Sequence, residues 1–430
     1  MREEGKYRKS NSWPKAVAKK WLNLKSGSDE FHSDYNAKAF SQRRTKSCSD
    51  DGPSAVVPEE LSEEWLMETC DEIERPGFDH LAPPVSTSLN LRMFVGTWNV
   101  GGKTPNDDLN LNDWLKTKTQ ADIYVLGFQE IVPLNAGNVL GPEDCGPATK
   151  WLSLIRHSLN GNAINEFFDE DISSSSSSEE DPPSPSKQHK YCLAASKQMV
   201  GLFLCVWVRE DLNPHITSLK VSCVGTGIMG YLGNKGSVSI SMRLLQTTIC
   251  FVCTHLASGE KEGDETRRNL DVMEILKRTR FSDLGRCSRQ PIQHNGILDH
   301  DKIIWLGDLN YRLASICGDT YKLVERNDWQ ALLEKDQLKI EQKAGRIFQG
   351  WEEGDIYFAP TYKYITNSDN YVVQNSSPKE KQRTPAWCDR ILWKGQGLKQ
   401  MSYFRSESRF SDHRPVYSVF TVAGGKATNQ

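Results

Sequence analysis

Five short apolar segments, each running into a polar loop, constrain the fold of this chain more than any other feature. They are LRMFVGTWN (91–99), ADIYVLGFQE (121–130), QMVGLFLCVWV (198–208), TTICFVCTH (247–255) and DKIIWLGDLN (301–310). Their length and their β-branched and aromatic content predict buried strands. Helical patterns lie between them. In ETRRNLDVMEILKR (265–278), Leu270, Met273 and Leu276 recur at helical spacing, and NDWQALLEKDQL (327–338) opens on an Asn/Asp cap. Strands interleaved with helices predict one α/β layered domain over residues 89–422.

The flanking sequence has another character. Residues 1–46 hold 12 Lys/Arg against 5 Asp/Glu, and residues 47–80 hold 1 against 11. Charge blocks of this kind do not bury enough apolar surface to form a core, so 1–88 reads as a flexible tail ending in a proline linker. Within it Trp13, Val17, Trp21 and Leu24 share one helical face, with Lys15 and Lys19 opposite. Residues 13–25 therefore read either as a basic amphipathic helix resting on an anionic membrane or as an unstructured basic leader. Residues 166–187 carry 7 acids, the serines Ser173–Ser178 and the run PPSPS, the composition of a disordered insertion. Residues 423–430 read as a flexible C-terminus.

Composition narrows the setting. The longest apolar run, Leu202 to Val208, is strand-sized, far below the roughly 18 residues of a membrane span. The opening MREEGKYRKSNSW has no apolar leader, and 11 scattered cysteines suit a reducing compartment. The expectation is an intracellular, cytoplasmic protein with peripheral membrane association. Residues 89–430 hold 40 Lys/Arg and 40 Asp/Glu, without the basic excess of a dedicated nucleic-acid binder.

Chemistry is expected where α/β folds place it, at strand ends. The polar clusters are Trp98-Asn99-Val100, Gln129-Glu130, Thr254-His255-Leu256, Gly307 to Arg312, and Ser411-Asp412-His413-Arg414-Pro415. Singly, each is an ordinary turn or a hydrogen-bonded histidine. Jointly they supply one Glu, two Asn, two or three Asp and two His, without zinc spacing. Hard oxygen donors select a Mg²⁺-like cation. Such a cation with Asp and His suits phosphoester hydrolysis, in which the cation polarises a phosphoryl oxygen and an imidazolium stabilises developing charge. Cys250 and Cys253 form C-x-x-C inside a strand and read as core thiols. Cys388 lacks a phosphate-cradling loop. The glycines of VGTGIMGYLGNKG do not bridge strand and helix in dinucleotide register.

The runs GTWNVGG, GFQEIVPL, THLASGE, WLGDLNYR, PAWCDRILW and SDHRPV occur in this order. Over 89–422 the chain resembles the Mg²⁺-dependent inositol polyphosphate 5-phosphatases, and the opening SWPKAVAKKWLNLKS resembles plant members. The resemblance implies a deoxyribonuclease-like four-layer sandwich, two packed mixed sheets flanked by helices. It implies Glu130 with Asn99 as the metal-binding pair and Asp412 beside the metal. Asp308 would orient or deprotonate the attacking water, with Asn310 steadying it. His413, polarised by Asp389, and His255 would touch the scissile phosphate. Tyr362, Lys363 and Lys381 would hold the neighbouring 4-phosphate, with Lys235 a further candidate. Arg390 and Arg312 read equally as phosphate contacts or structural ion pairs. The implied substrates are PtdIns(4,5)P2, PtdIns(3,4,5)P3 and Ins(1,4,5)P3, with a lean towards lipid. The alternatives are an enzyme of soluble inositol phosphates alone, a nuclease of the same fold and an inactive phosphoinositide-binding scaffold.

Overall fold

The computed structural model describes residues 90–161, 190–281, 296–314, 318–372 and 383–423. The tail, the acidic insertion and Lys381 lie outside the described residues. The strands are β1 (Asn90–Asn99), β2 (Ile123–Gln129), β3 (Tyr191–Met199), β4 (Leu202–Arg209), β5 (Ile216–Gly225) and β6 (Gly236–Leu244). They continue with β7 (Thr247–His255), β8 (Lys302–Asp308), β9 (Asp389–Lys394), β10 (Leu398–Arg405) and β11 (Val416–Ala423). One sheet runs β10-β11-β1-β2-β4-β3, the other β5-β6-β7-β8-β9. Each has one parallel pair, β1 with β2 and β7 with β8, so both are mixed.

Strand alternation sorts the side chains into three layers of core. Met93, Val95, Ile123, Val125, Phe251, Cys253, Ile304, Leu306 and Ile391 pack between the sheets. Phe94, Trp98, Leu126 and Phe128 face outward, under the helix Gly146–Asn160 with Trp151, Leu152 and Ile155. Val252, Ile303, Trp305 and Leu392 face outward from the second sheet, under the helix Asp264–Arg278. The result is the four-layer, deoxyribonuclease-like sandwich. Among the described residues no helix is long and apolar enough to cross a membrane.

Three local expectations change. QMVGLFLCVWV is a hairpin: β3 ends at Met199, Val200 (φ 55°) and Gly201 turn the chain, and β4 starts at Leu202. NDWQALLEKDQL forms two helices, Trp329–Leu333 and Gln337–Lys343, capped by Asp328 and Asp336. The break follows from Asp336, whose carboxylate accepts the Lys339 N–H at 3.0 Å and so starts the second helix. On the helix Asp264–Arg278, Leu270 and Met273 are more than half exposed, whereas Arg268, Asn269, Val272 and Ile275 are buried. The polar pair goes inward because it is bonded there. Arg268 donates to the Ala257 and Gly259 carbonyls and to Gln337, and Asn269 binds Tyr311 and Glu341. The helix thereby braces the loop that follows His255.

Candidate active site

Register brings the strand ends to one level. Asn99 lies opposite Gln129 across β1 and β2, His255 opposite Asp308 across β7 and β8, and Asp308 opposite Asp389 across β8 and β9. Asn99, His255, Asp308 and Asp389 each continue the alternation of the inter-sheet core residues beneath them. They therefore cap that core with polar groups. Gly307 permits the close β7–β8 approach: its φ is +143°, and a Cβ there would lie 2.1 Å from the Thr254 carbonyl oxygen. Glu130 (φ 56°) and Asn310 (φ 58°) turn the chain out of β2 and β8 in the left-handed region, a costly conformation for glutamate that clusters at functional sites.

A cavity of about 690 Å³ opens above this level, lined in part by Glu130, His255, Asp308, Asn310, Asp412 and His413. The Asn99 amide nitrogen donates to Asp308 Oδ2 at 2.9 Å and to Glu130 Oε1 at 3.4 Å, while its oxygen accepts from Gly101 N at 3.0 Å. His255 Nε2 is 3.3 Å from Asp308 Oδ2 and 3.7 Å from Glu130 Oε1, and it also contacts Lys235 Nζ. His413 Nδ1 is 2.8 Å from Asp389 Oδ2, and its Nε2 is 4.0 Å from Asp308 Oδ2. Asn310 donates to the Leu256 carbonyl at 3.1 Å and its own backbone N–H donates to Asp308 Oδ1 at 3.0 Å.

These neighbours set the charges. Burial opposes ionisation of Asp308, but His255, His413 and Lys235 outweigh it and hold the carboxyl well below the usual range. Burial likewise opposes the His413 cation, yet Asp389, Asp308 and Asp412 raise it to about 9. Asp389 is pushed upward by burial, against the pull of His413. Asp308, 4.0 Å from His413 Nε2, and Asp412 lie on the imidazole's side of the pair and favour its cation. His255 has the opposite fate: burial and the adjacent Lys235 lower it, so it is neutral near pH 7. Burial also lowers Lys235, to about 8. Asp308, Asp389 and His413 lie close enough together to suggest a metal site. A protonated imidazole already donating to Asp389 is a poor ligand, however. Glu130 and Asp412, 29% and 26% exposed, are more open to the cavity than Glu260 and Asp264, which also line it but pair with arginines. They are hard oxygen donors, and so fit a Mg²⁺-like ion. Gly101 passes between chain segments here, where a Cβ would sit 3.1 Å from Asp412 Oδ1 at φ +63°.

A second wall is basic and aromatic. The Tyr362 ring lies 4.5 Å from the His413 ring and 4.4 Å from the Arg312 guanidinium. Lys363 Nζ is 3.4 Å from Asp412 Oδ2. Arg312 bonds Asn310 Oδ1 at 2.6 Å and Glu260 at 3.3 Å, and Glu260 also pairs with Arg383 at 3.4 Å. Lys235, a further candidate for the phosphate, is buried beside His255 and lines the cavity. Arg390 is not brought to the cavity. It is fully buried on the outer side of β9, held by Asp336 at 3.0 Å and Glu353 at 2.6 Å, which makes it structural. Glu260, Arg383 and Thr361 were missed, although Glu260 stands inside the run THLASGE, Arg383 two residues after Lys381 and Thr361 next to Tyr362.

Residues 96–419 match the Endonuclease/Exonuclease/phosphatase family 2. The chain is 61% identical over 430 residues to type I inositol polyphosphate 5-phosphatase 8 of Arabidopsis thaliana, covering 97% of this chain and 88% of that one. The chain belongs to the inositol polyphosphate 5-phosphatase family. As a member it is a hydrolase and a phosphatase. Among solved structures it is similar to the inositol polyphosphate 5-phosphatase domain of SPsynaptojanin, in complex with inositol (1,4)-bisphosphate and a calcium ion. That match has 30% identity and a TM-score of 0.63, and covers 78% of this chain and 85% of that one. A Cimex nitrophorin, at 19% identity and a TM-score of 0.53 over 78% of this chain and 99% of its own, shares the fold alone.

Proposed function

We propose that this phosphatase removes the 5-phosphate from inositides carrying a 4,5-bisphosphate, with Mg²⁺ as cofactor, and leaves the 4-phosphate in place. The observation that carries the reading is the line Asp389–His413–Asp308 at the floor of a cavity walled by Tyr362, Lys363, Arg312 and Arg383. The similar SPsynaptojanin domain was solved with inositol (1,4)-bisphosphate, a ring that has a 4-phosphate and no 5-phosphate. Both the lipids PtdIns(4,5)P2 and PtdIns(3,4,5)P3 and soluble Ins(1,4,5)P3 present the required pair of phosphates.

Glu130 and Asp412 would hold the ion, and Asn99 would brace Glu130. When bound, the ion supplies positive charge to the phosphoryl oxygen and acidity to water. Asp308, held as a carboxylate by His255, His413 and Lys235, would orient or deprotonate the attacking water, with Asn310 steadying it. His413, kept as an imidazolium, donates to the phosphoryl group as negative charge builds. His255, neutral and braced by Lys235, offers a second contact there. Lys363, Tyr362 and Lys381 would grip the vicinal phosphate as point charges and a hydroxyl. The tail would add affinity for anionic membranes, and the acidic serine-rich insertion would be dispensable for chemistry.

The test is phosphate release from PtdIns(4,5)P2 vesicles, PtdIns(3,4,5)P3 vesicles and Ins(1,4,5)P3, with Mg²⁺ and with chelator. Release from all three that stops on chelation is expected. Full activity in chelator refutes the cofactor assignment, and product lacking the 4-phosphate refutes the position. Vesicle co-sedimentation of the full chain against residues 84–430 judges the tail.

A further inference from the structure

Thr361, Tyr362 and Lys363 run as one stretch alongside the catalytic pair, and each side chain meets a different site residue. The backbone of this stretch is tied on both sides. Thr361 N donates to the Ala386 carbonyl at 3.1 Å, Ala386 N donates back to Tyr362 O at 2.9 Å, and Arg414 N donates to Thr361 O at 2.9 Å. The Thr361 hydroxyl, without solvent exposure, donates to Asp389 Oδ2 at 2.6 Å. That same oxygen accepts from His413 Nδ1 at 2.8 Å. The other carboxylate oxygen, Oδ1, is buried and has no hydrogen-bond partner among the described residues.

Asp389 is thus held through a single oxygen by two donors. With His413 as its one side-chain donor, the carboxylate would be free to turn about its Cβ–Cγ bond, and the imidazole would turn with it. A second donor on the same oxygen removes that freedom, and the Tyr362 ring at 4.5 Å limits how far the imidazole can tilt. We propose that Thr361 is a positioning residue for catalysis: its hydroxyl locks the Asp389 carboxylate so that His413 keeps Nε2 directed at the reacting phosphate. The inference rests on the hydrolytic reading above and adds a residue that touches neither substrate nor metal. It also makes the stretch bearing Lys363 serve two ends, recognition through Lys363 and alignment of His413 through Thr361.

The test compares the full-length enzyme with Thr361→Val, in which a methyl replaces the hydroxyl, and with Thr361→Ser, which restores it. Phosphate release is measured from Ins(1,4,5)P3 and from a ring bearing the 5-phosphate without the 4-phosphate. The valine variant should lose about 10- to 100-fold in kcat on both rings, the scale of a hydrogen bond to a buried charged group, with KM within threefold. Serine should recover most of it. An unchanged kcat, a loss in KM confined to the ring with the 4-phosphate, or a serine variant as slow as valine would each overturn the assignment. If valine lowers Tm by more than about 10 °C, Thr361→Ala makes the same comparison with a smaller side chain. A crystal structure of the valine variant gives a readout free of turnover: a rotated Asp389 carboxylate or His413 ring is expected, and unaltered geometry refutes the role. Wild-type enzyme releasing no phosphate from either ring would instead defeat the hydrolytic reading, and the crystal structure would still judge Thr361.

Discussion

Asp389 and Arg390 are neighbours in the chain, both fully buried and both charged, and they do unrelated work. They stand at the start of β9, where successive side chains point to opposite faces. Asp389 shares the face of Ile391, towards the space between the sheets, and meets His413 at the cavity floor. Arg390 shares the face of Leu392, towards the outer layer, where Asp336 and Glu353 neutralise it. Asp336 in turn caps the helix Gln337–Lys343, so Arg390 ties that helix to the sheet. One pair therefore leaves an imidazolium aimed at an open cavity, and the other spends its charges on packing. Adjacency inside a motif says little about shared function when the pleat separates the two residues.

The widest gap between the two pairs should appear in turnover. His413→Ala or Asp308→Ala should lower kcat per folded molecule on the order of 10²–10⁴-fold, beyond whatever stability the loss of a buried charge partner costs. Single-turnover phosphate release beside urea denaturation measures both, and an unaffected kcat in either variant breaks the assignment. The converse holds on the outer face. Arg390→Met leaves two buried carboxylates without their cation and should cost about 3–5 kcal/mol of stability, with kcat per folded molecule within a few-fold. Lost turnover at an unchanged urea midpoint would return Arg390 to the site.

Lys363 sharpens the contrast from the substrate side, since its ammonium is partly exposed and its partner Asp412 is itself open to the cavity. Lys363→Ala should penalise a ring with the vicinal 4-phosphate by about 10–150-fold more than one without it, the worth of about 1.5–3 kcal/mol for a charge-assisted contact. Ratios of kcat/KM for the two rings check this. Equal losses on both would mean that Lys363 acts through Asp412 and not on substrate.

The site was more legible than the surfaces around it. Asn99, His255 and Asp308 could be read because each ends an apolar strand and period-2 alternation carries the core's orientation to the strand end, whereas Glu130 lies one residue past β2 and reaches the cavity through its left-handed turn. Arg390 stayed open between phosphate contact and structural ion pair because its partners Asp336 and Glu353 come from other parts of the chain, and their proximity has no local signal. The helix Asp264–Arg278 misled for a related reason. Spacing of Leu270, Met273 and Leu276 marked an apolar stripe, whereas the helix buries Arg268 and Asn269 to hold backbone carbonyls and side chains beside the site. Hydropathy cannot report a buried face whose value lies in hydrogen bonds. The burial of Lys235 left no local signal, because only the assembled site encloses it.

Two histidines extend the comparison and carry the smallest expected effect. His300, like His413, is largely withdrawn from solvent, but it faces different groups. Its Nε2 is 2.7 Å from the Ser241 hydroxyl and its Nδ1 lies 3.1 and 3.0 Å from the carbonyls of Gly296 and Ile297, with Asp299 and Asp301 as weaker neighbours. Burial wins there, and its pKa falls below the ordinary 6.5, whereas the three carboxylates near His413 reverse the sign. For His300 the unfolded chain takes up the proton first. As pH drops through about 6.5 the unfolded state is favoured, and the fold loses stability until the lowered folded-state pKa is reached. Above pH 6.5 this group contributes no pH dependence. The urea midpoint of wild-type protein should therefore fall between pH 7.5 and pH 5.5 by more than that of His300→Gln, whose amide still offers the serine an acceptor. Equal slopes in the two proteins would mean that His300 keeps its proton when folded, and that carbonyl oxygens can hold an imidazolium as carboxylates do at His413.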